Sequence, residues 1–422
     1  MIDLAKGYTI KTKNFQTIVV NHKLGEGGQG AVYHVNYGGK PKALKWYSGK
    51  KMKDPKKFYA NLENNIKKGK PTSAFLWPED ITDHDGQAFG YIMDLRPDEY
   101  KDFTRFLIGK EKLASMTARV NTAMQITAGF RALHQKGYSY QDLNDGNFFI
   151  NPQNGNVLIC DNDNVSAYGT NSGIVGKPRY MAPEIVANGA KPDVQTDAFS
   201  LAVVLFLLWT HNHPLEGKSA HPACMTDEEE KRIFGTNPVF IWDPTDDSNR
   251  PVQGMHQGAI NLWQQLFPAY LKDAFMKAFS KDLLKNPQIR ILEQDWLRTF
   301  IRMRAEIFKC SCDKVYFADP ITQNSCPSCK KTNIFPMYIK TQRYNIPVHQ
   351  RTRLYACHTE KSSDDFETLS GEVSANGSDF ILKNATKNDW FLDDGTTVSP
   401  NGTVALKKGM KINFSLVDVE VI

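Results

Sequence analysis

A β-branched run at 17–20, followed by the runs 31–35 and 42–46 with glycine turns between them, predicts strands near the start of the chain. Residues 55–68 break that rhythm. Asp54 as N-cap and Pro55 at the first helical position open a helix there. From 115 to 135 the period turns helical, with Val120, Met124, Thr127, Phe130, Arg131 and His134 on one face. Residues 196–210 are apolar all round and predict a buried helix. Two more amphipathic helices are expected over 268–284 and 294–308. The texture then changes. A cysteine group fills 310–329, and beyond Pro347 short β-like runs alternate with the turns Asn376-Gly377, Asp394-Gly395 and Asn401-Gly402. No internal repeat or low-complexity tail is visible.

Composition narrows this picture. The chain has 422 residues, 41% hydrophobic and 23% charged, ordinary values for a folded soluble protein with more than one domain. A net charge of +6 argues for neither nucleic acid nor membrane as partner. Lysines cluster at Lys50, Lys51, Lys53, Lys56, Lys57, Lys67, Lys68 and Lys70, as a solvated face or as a docking patch for an acidic partner. Residues 1–13 hold no signal-like apolar run, and the longest apolar stretch, 201–209, is too short to span a bilayer. Four of the 7 cysteines sit in one metal-like group, which suits a reducing, cytoplasmic setting better than a disulfide scaffold.

The candidate chemistry begins with Gly25, Gly27 and Gly30, whose lack of side chains lets backbone N–H groups approach a phosphate. Alone the loop is weak evidence. It lacks the Gly-Lys-Ser/Thr of a P-loop, and it precedes a strand, which excludes a dinucleotide fold. Lys45 follows in a strand, and Glu63 is the one acid between Asp54 and Glu79 able to hold it. Further on, Asp142 and Asn147 share a loop after the 115–135 helix, as a base and a metal ligand. A buried strand at 157–160 then delivers Asp161. A positioned hydroxyl, Mg²⁺ across phosphates and a lysine cradle are the parts of phosphoryl transfer.

The order and spacing of these segments resemble the protein kinase superfamily from about residue 14 to 300. The likeness continues in Gly176-Lys177-Pro178-Arg179-Tyr180-Met181-Ala182-Pro183-Glu184, in Asp197-Ala198-Phe199-Ser200-Leu201, and in Arg290, which would pair with Glu184. It implies an ATP- and Mg²⁺-dependent kinase acting on Ser/Thr of a protein substrate or of itself. Lys45 would contact the α/β-phosphates and Glu63 would anchor it. Asp142 would position the acceptor hydroxyl, and Asn147 and Asp161 would hold Mg²⁺. Val32, Ala43 and Phe149 would sandwich adenine, with Met93 as gatekeeper and the backbone from Asp94 as hinge.

The departures keep a second reading open, a pseudokinase scaffold working through its C-terminal modules. Tyr140-Gln141 stands for the usual His-Arg, which removes the receiver of an activation-loop phosphate on Ser166, Thr170 or Ser172. Asn162-Asp163 stands for Phe-Gly, adding an acid beside the metal. Asn144 replaces a loop lysine, while Lys177 replaces a threonine. The cation then has either crossed the site, within about 4 Å of Asp142 or Asn144, or it points into solvent.

Cys310, Cys312, Cys326 and Cys329 form a C-x-C and a C-x-x-C pair suited to structural, tetrahedral Zn²⁺ with no open position for water. Reduced or disulfide-bonded pairs are the alternative. The run 380–414 loosely resembles the second half of a forkhead-associated domain, without the phosphothreonine-binding motifs. The expected fold class is therefore α+β: a bilobal kinase fold (1–93 and 94–307), a zinc ribbon (308–338) and a small all-β module (339–422). That layout resembles bacterial kinases of stress and tellurite-resistance gene clusters, which implies a phosphatase and a von Willebrand A-type protein as partners.

Overall fold

The structure is a computed structural model that describes residues 3–27, 30–48, 54–84, 88–167, 176–220, 225–319, 325–332, 335–377, 379–415 and 417–422. It forms two compact units, Met1–Ile260 with Phe275–Gln294, and Asn261–Ala274 with Asp295–Ile422.

In the first unit the early strands build one antiparallel sheet. Its members are β1 (Thr9–Lys11), β2 (Thr17–Glu26), β3 (Gly30–Tyr37), β4 (Lys40–Ser48), β5 (Asp80–Ile81) and β6 (Ala88–Met93), in the order β1-β2-β3-β4-β6-β5. Gly30 is required where β3 meets β4, because a Cβ there would lie 2.5 Å from the Trp46 carbonyl oxygen. Between β4 and β5 lies α1 (Pro55–Lys68), opened as expected by Asp54, whose carboxylate accepts from Lys57 N–H at 3.0 Å. Phe58, Leu62 and Asn65 of α1 are buried. Their spacing defines its inner face.

The helical part also follows the periodicity. The helix Met116–Gln135 is capped by Ser115, and Val194–Thr210 is buried throughout its last four turns. The second begins two residues earlier than its apolar pattern, because Asp193 accepts from the N–H groups of Gln195 and Thr196 at 2.9 Å. The single helix expected over 268–284 is two, Ala269–Ala278 and Lys281–Lys285. Ser280 is extended and caps the second, so the ladder restarts there. Among the described residues no helix is long and apolar enough to cross a membrane.

The helix Glu293–Ala305, whose residues from Asp295 on belong to the second unit, ends before the expected residue 308, because Ile307–Lys309 turns into a strand paired with Val315–Phe317. Among the described residues the remainder forms two antiparallel sheets, of six and four strands, and a short helix, Ala356–Thr359. Their shared core includes Ile339, Leu354, Val373, Leu382, Trp390, Ile412 and Val419. The Asn376-Gly377 turn joins Leu369–Asn376 to Asp379–Asn384 with Asn376 opposite Asp379, and Gly377 takes φ of 62°.

Candidate functional site

The apolar half of the site comes from β3, β4 and β6. Ala43 and Met93 are direct cross-strand partners. Both belong to one cluster with Tyr47, Leu62, Tyr91 and Cys160, against which Val32, Leu95 and Phe149 pack. The residues expected around adenine are thus brought together. The Phe149 ring also carries the Arg96 guanidinium 4.4 Å from its centroid. Asp94, expected at the hinge, is ion-paired to Lys42 at 2.6 Å. Burial opposes its ionisation, but Lys42 holds its carboxyl below the usual range. In the glycine turn, Gly25 pairs with Val32 across the ladder and Gly27 N–H donates to the Gly30 carbonyl at 2.8 Å. The loop tip, Gly28 and Gln29, lies outside the described residues.

The polar half departs from expectation at one point. Lys45 does not meet Glu63. Its ammonium is 3.0 Å from Asp161 Oδ1 and 2.9 Å from both oxygens of Asp163. Glu63 pairs instead with Lys13. Helix phase is the reason. Leu62 and Asn65 face inward, and Glu63 is one step, about 100°, off that face. On the inner side Asn61 and Asn65 both donate to the Val165 carbonyl, at 2.7 and 2.9 Å.

Asp163 was expected beside the metal. It is instead fully buried, with the Tyr47 hydroxyl at 2.6 Å and the Tyr91 hydroxyl at 3.3 Å. Lys45 and Tyr47 sit two apart on one strand and so share a face, and Tyr91 is opposite Lys45 on β6. Burial works against the charge on Lys45, yet Asp163 and then Asp161 raise its pKa well above the ordinary value. Sequence reasoning missed this anchor. Its signal was a second acid two residues after Asp161, matched by tyrosines on the strands around the lysine.

The loop carrying Asp142 hangs from Asp197. That buried carboxylate accepts from Tyr140 N–H at 2.6 Å and Gln141 N–H at 3.3 Å, and lies 3.1 Å from His134 Nε2. His134 Nδ1 is 2.7 Å from Glu293. The Tyr140 hydroxyl donates to the Cys160 carbonyl, and Gln141 is left-handed at φ 69°. Asp142 is pushed up to about 6 by burial, against opposing contributions from its Asn144 hydrogen bond and from Lys177.

Lys177 lies inside its expected range. Its ammonium is 3.0 Å from Asn144 Oδ1, and the Asn144 amide donates to Asp142 Oδ1 at 3.2 Å. Lysine, amide and aspartate form a chain. Glu184 and Arg290 form the anticipated pair, and it is bidentate, at 2.8 and 2.7 Å. Ser166 is buried, and Thr170 and Ser172 lie outside the described residues.

The donors for a hard cation are oxygens, as Mg²⁺ requires. Asn147 Oδ1 accepts one backbone bond, from Asn144 at 2.6 Å, which leaves a second lone pair. Asp161 is left-handed at φ 55° and keeps 45% of its side chain exposed. Asn162, where an aromatic is usual, donates to the carbonyls of Leu76 and Ile159 at 2.8 and 2.9 Å and fixes this turn.

In the second unit the four thiols expected to bind metal converge, their sulfurs all within 4.8 Å of one another. Cys310 and Cys329 are 3.7 Å apart, Cys312 and Cys326 3.6 Å. A disulfide needs about 2.05 Å. Tetrahedral thiolates at about 2.3 Å from a metal would be about 3.8 Å apart. The group could therefore hold a metal. Two turns present it, one closed by Asp313 N–H on the Cys310 carbonyl three residues back, the other by Lys330 N–H on that of Cys326 four residues back.

Several known protein kinases are similar to this chain in sequence. Protein kinase YegI of Escherichia coli is 22% identical over 361 residues, 77% of this chain and 50% of that protein. Serine/threonine-protein kinase sck2 of Schizosaccharomyces pombe is 31% identical over 86 residues, 19% of this chain and 13% of its own length. Protein kinase C delta type of Mus musculus is 32% identical over 99 residues, 22% of this chain and 14% of its own length. The chain thus spans half or less of these relatives. The protein kinase domain family matches residues 18–285, the span that holds the glycine turn, Lys45, Asp142, Asn147 and Asp161. With that match over most of its length, the chain belongs to the protein kinase domain family.

Proposed function

We propose that the protein is an ATP- and Mg²⁺-dependent kinase that transfers the γ-phosphate to Ser/Thr hydroxyls of a protein substrate or of itself. The observation that carries this reading is the Lys177–Asn144–Asp142 chain, which puts a cation back beside the aspartate where the loop lacks a lysine. Lys45 would contact the α/β-phosphates, Asp142 would orient the acceptor hydroxyl, and Asn147 and Asp161 would hold Mg²⁺, which supplies charge neutralisation at the phosphates. Gly25, Gly27 and Gly30 would cover the phosphates. Val32, Ala43, Met93 and Phe149 would hold adenine against the Asp94 backbone. The cysteine group would carry one structural zinc. The layout makes a phosphatase and a von Willebrand A-type protein candidate partners.

The Arg96–Phe149 stack favours a second reading, a pseudokinase scaffold, since a guanidinium rests on the ring assigned to adenine. One experiment separates the two. Purified protein is incubated with radiolabelled ATP, Mg²⁺ and a mixed protein substrate, beside Asp161→Ala and Asp142→Ala. Labelling by the wild type alone supports the kinase. Equal labelling by all three, or by none, sinks it.

A further inference from the structure

We infer that Asp163 is the positioning residue for Lys45, in the role that the kinase resemblance gives to Glu63. The inference rests on the kinase reading above and adds a residue to it. Both oxygens of Asp163 face the ammonium at 2.9 Å, in a pocket where Asp163 has no exposure and the Lys45 side chain has 10%. The Tyr47 and Tyr91 hydroxyls donate to the same carboxylate and hold its orientation. A buried carboxylate with this many donors is fixed far more tightly than Glu63, whose side chain is 39% exposed and engaged by Lys13.

Charge accounting supports the assignment. Lys45 faces two carboxylates, so the group carries one surplus negative charge. If Asp161 turns to a metal ion, Lys45 still keeps Asp163 and is never left as a buried unpaired cation, which is strongly unfavourable. With Asp161 as its sole partner, metal binding and lysine pairing would compete. The second acid removes that competition.

The geometry also changes what the site depends on. Asp161 and Asp163 belong to one tight turn, closed by Asn164 N–H on the Asp161 carbonyl at 3.1 Å and pinned by the Asn162 amide. The metal carboxylate and the lysine anchor are set together by that turn. In the usual arrangement the anchor rides on a helix, and helix position controls activity. Here the hydrogen bonds recorded from α1 to the segment, among the described residues, come from neutral amides, Asn61 and Asn65 on the Val165 carbonyl. Placement of Lys45 therefore does not require α1 to deliver a charge.

The test compares steady-state phosphoryl transfer by the full-length protein with Asp163→Asn, Glu63→Gln, Lys45→Met and the Lys45→Met/Asp163→Asn double variant, each checked for folding by thermal melting. Asp163→Asn is expected to lower kcat/KM for ATP by ~10²-fold or more and to raise the KM for ATP without changing that for the protein substrate. A merely structural defect would reduce the active fraction and leave both KM values alone. Glu63→Gln should stay within about 3-fold of wild type, and the double variant should be no worse than Lys45→Met, since both changes break one unit. If Asp163→Asn does not fold, Tyr47→Phe loosens the same carboxylate without altering charge and should raise the KM for ATP severalfold. A folded Asp163→Asn or Tyr47→Phe with wild-type kinetics overturns the assignment, as does a Glu63→Gln crippled like Lys45→Met. If Lys45→Met and Asp161→Ala label substrate as well as wild type does, the kinase reading itself has failed. If those two lose activity and Asp163→Asn does not, only the positioning role has.

Discussion

The sharpest prediction concerns His134, buried between Asp197 and Glu293. Burial by itself would lower its pKa, but hydrogen bonds to the two carboxylates raise it from 6.5 to about 9. The folded state therefore binds a proton that the unfolded state has lost between these values, and stability falls as pH rises through that window. Integrating the linkage gives a contribution of a few kcal/mol at pH 7 that falls by roughly half at pH 8 and is largely gone by pH 9. Glu293 is the acid-side counterpart. Burial opposes its ionisation, yet His134 holds its pKa below the ordinary value. Its contribution is lost as pH falls through that depressed value. The assay is urea unfolding of wild type and His134→Gln from pH 6.5 to 9. The stability difference between them should shrink by about 2 kcal/mol between pH 7 and pH 9. A pH-independent difference would refute a protonated His134, and with it the account of how Asp197 is held under the catalytic loop.

Other expectations follow from the same geometry. With Asp142 at about 6, kcat/KM should rise about tenfold per pH unit below that value and level off above it; a profile flat from pH 5 to 8 would exclude ionised Asp142 as the required form. Lys177 lowers the Asp142 pKa, so Lys177→Met should shift that acid limb to higher pH and cut turnover ~10²-fold or more; turnover within a few-fold of wild type and an unmoved limb would leave Lys177 a surface residue. Elemental analysis should find about one zinc per chain, and a chelator or Cys326→Ser should lower the melting temperature of the second unit; freshly purified protein free of zinc would rule the site out.

How legible all this was depends on how local each feature is. The cysteine group was readable because two short turns, each a few residues long, set the sulfur positions. The helix at 116–135 and α1 were readable from their caps and period. Lys177 could be anticipated because its stem is long and its target, Asn144, was already implied by the loop. The end of the 293–305 helix and the break at Ser280 were not readable, because a strand pairing and a single extended residue override an amphipathic pattern that runs on.

The partner of Lys45 marks the boundary most clearly. Sequence alone determined that a lysine in a strand, an aspartate after a buried strand and an aspartate-to-asparagine loop would meet at one site. It also supplied two acids able to hold the lysine, Glu63 and Asp163. Only the tertiary structure decided between them. The choice turns on the rotation of α1 about its axis, set by the packing of Phe58 and Leu62, and on which face of β4 and β6 meets the 161–163 turn. A rotation of about 100° separates neighbouring positions on a helix. The order of acids along a chain carries no record of it until the core is packed.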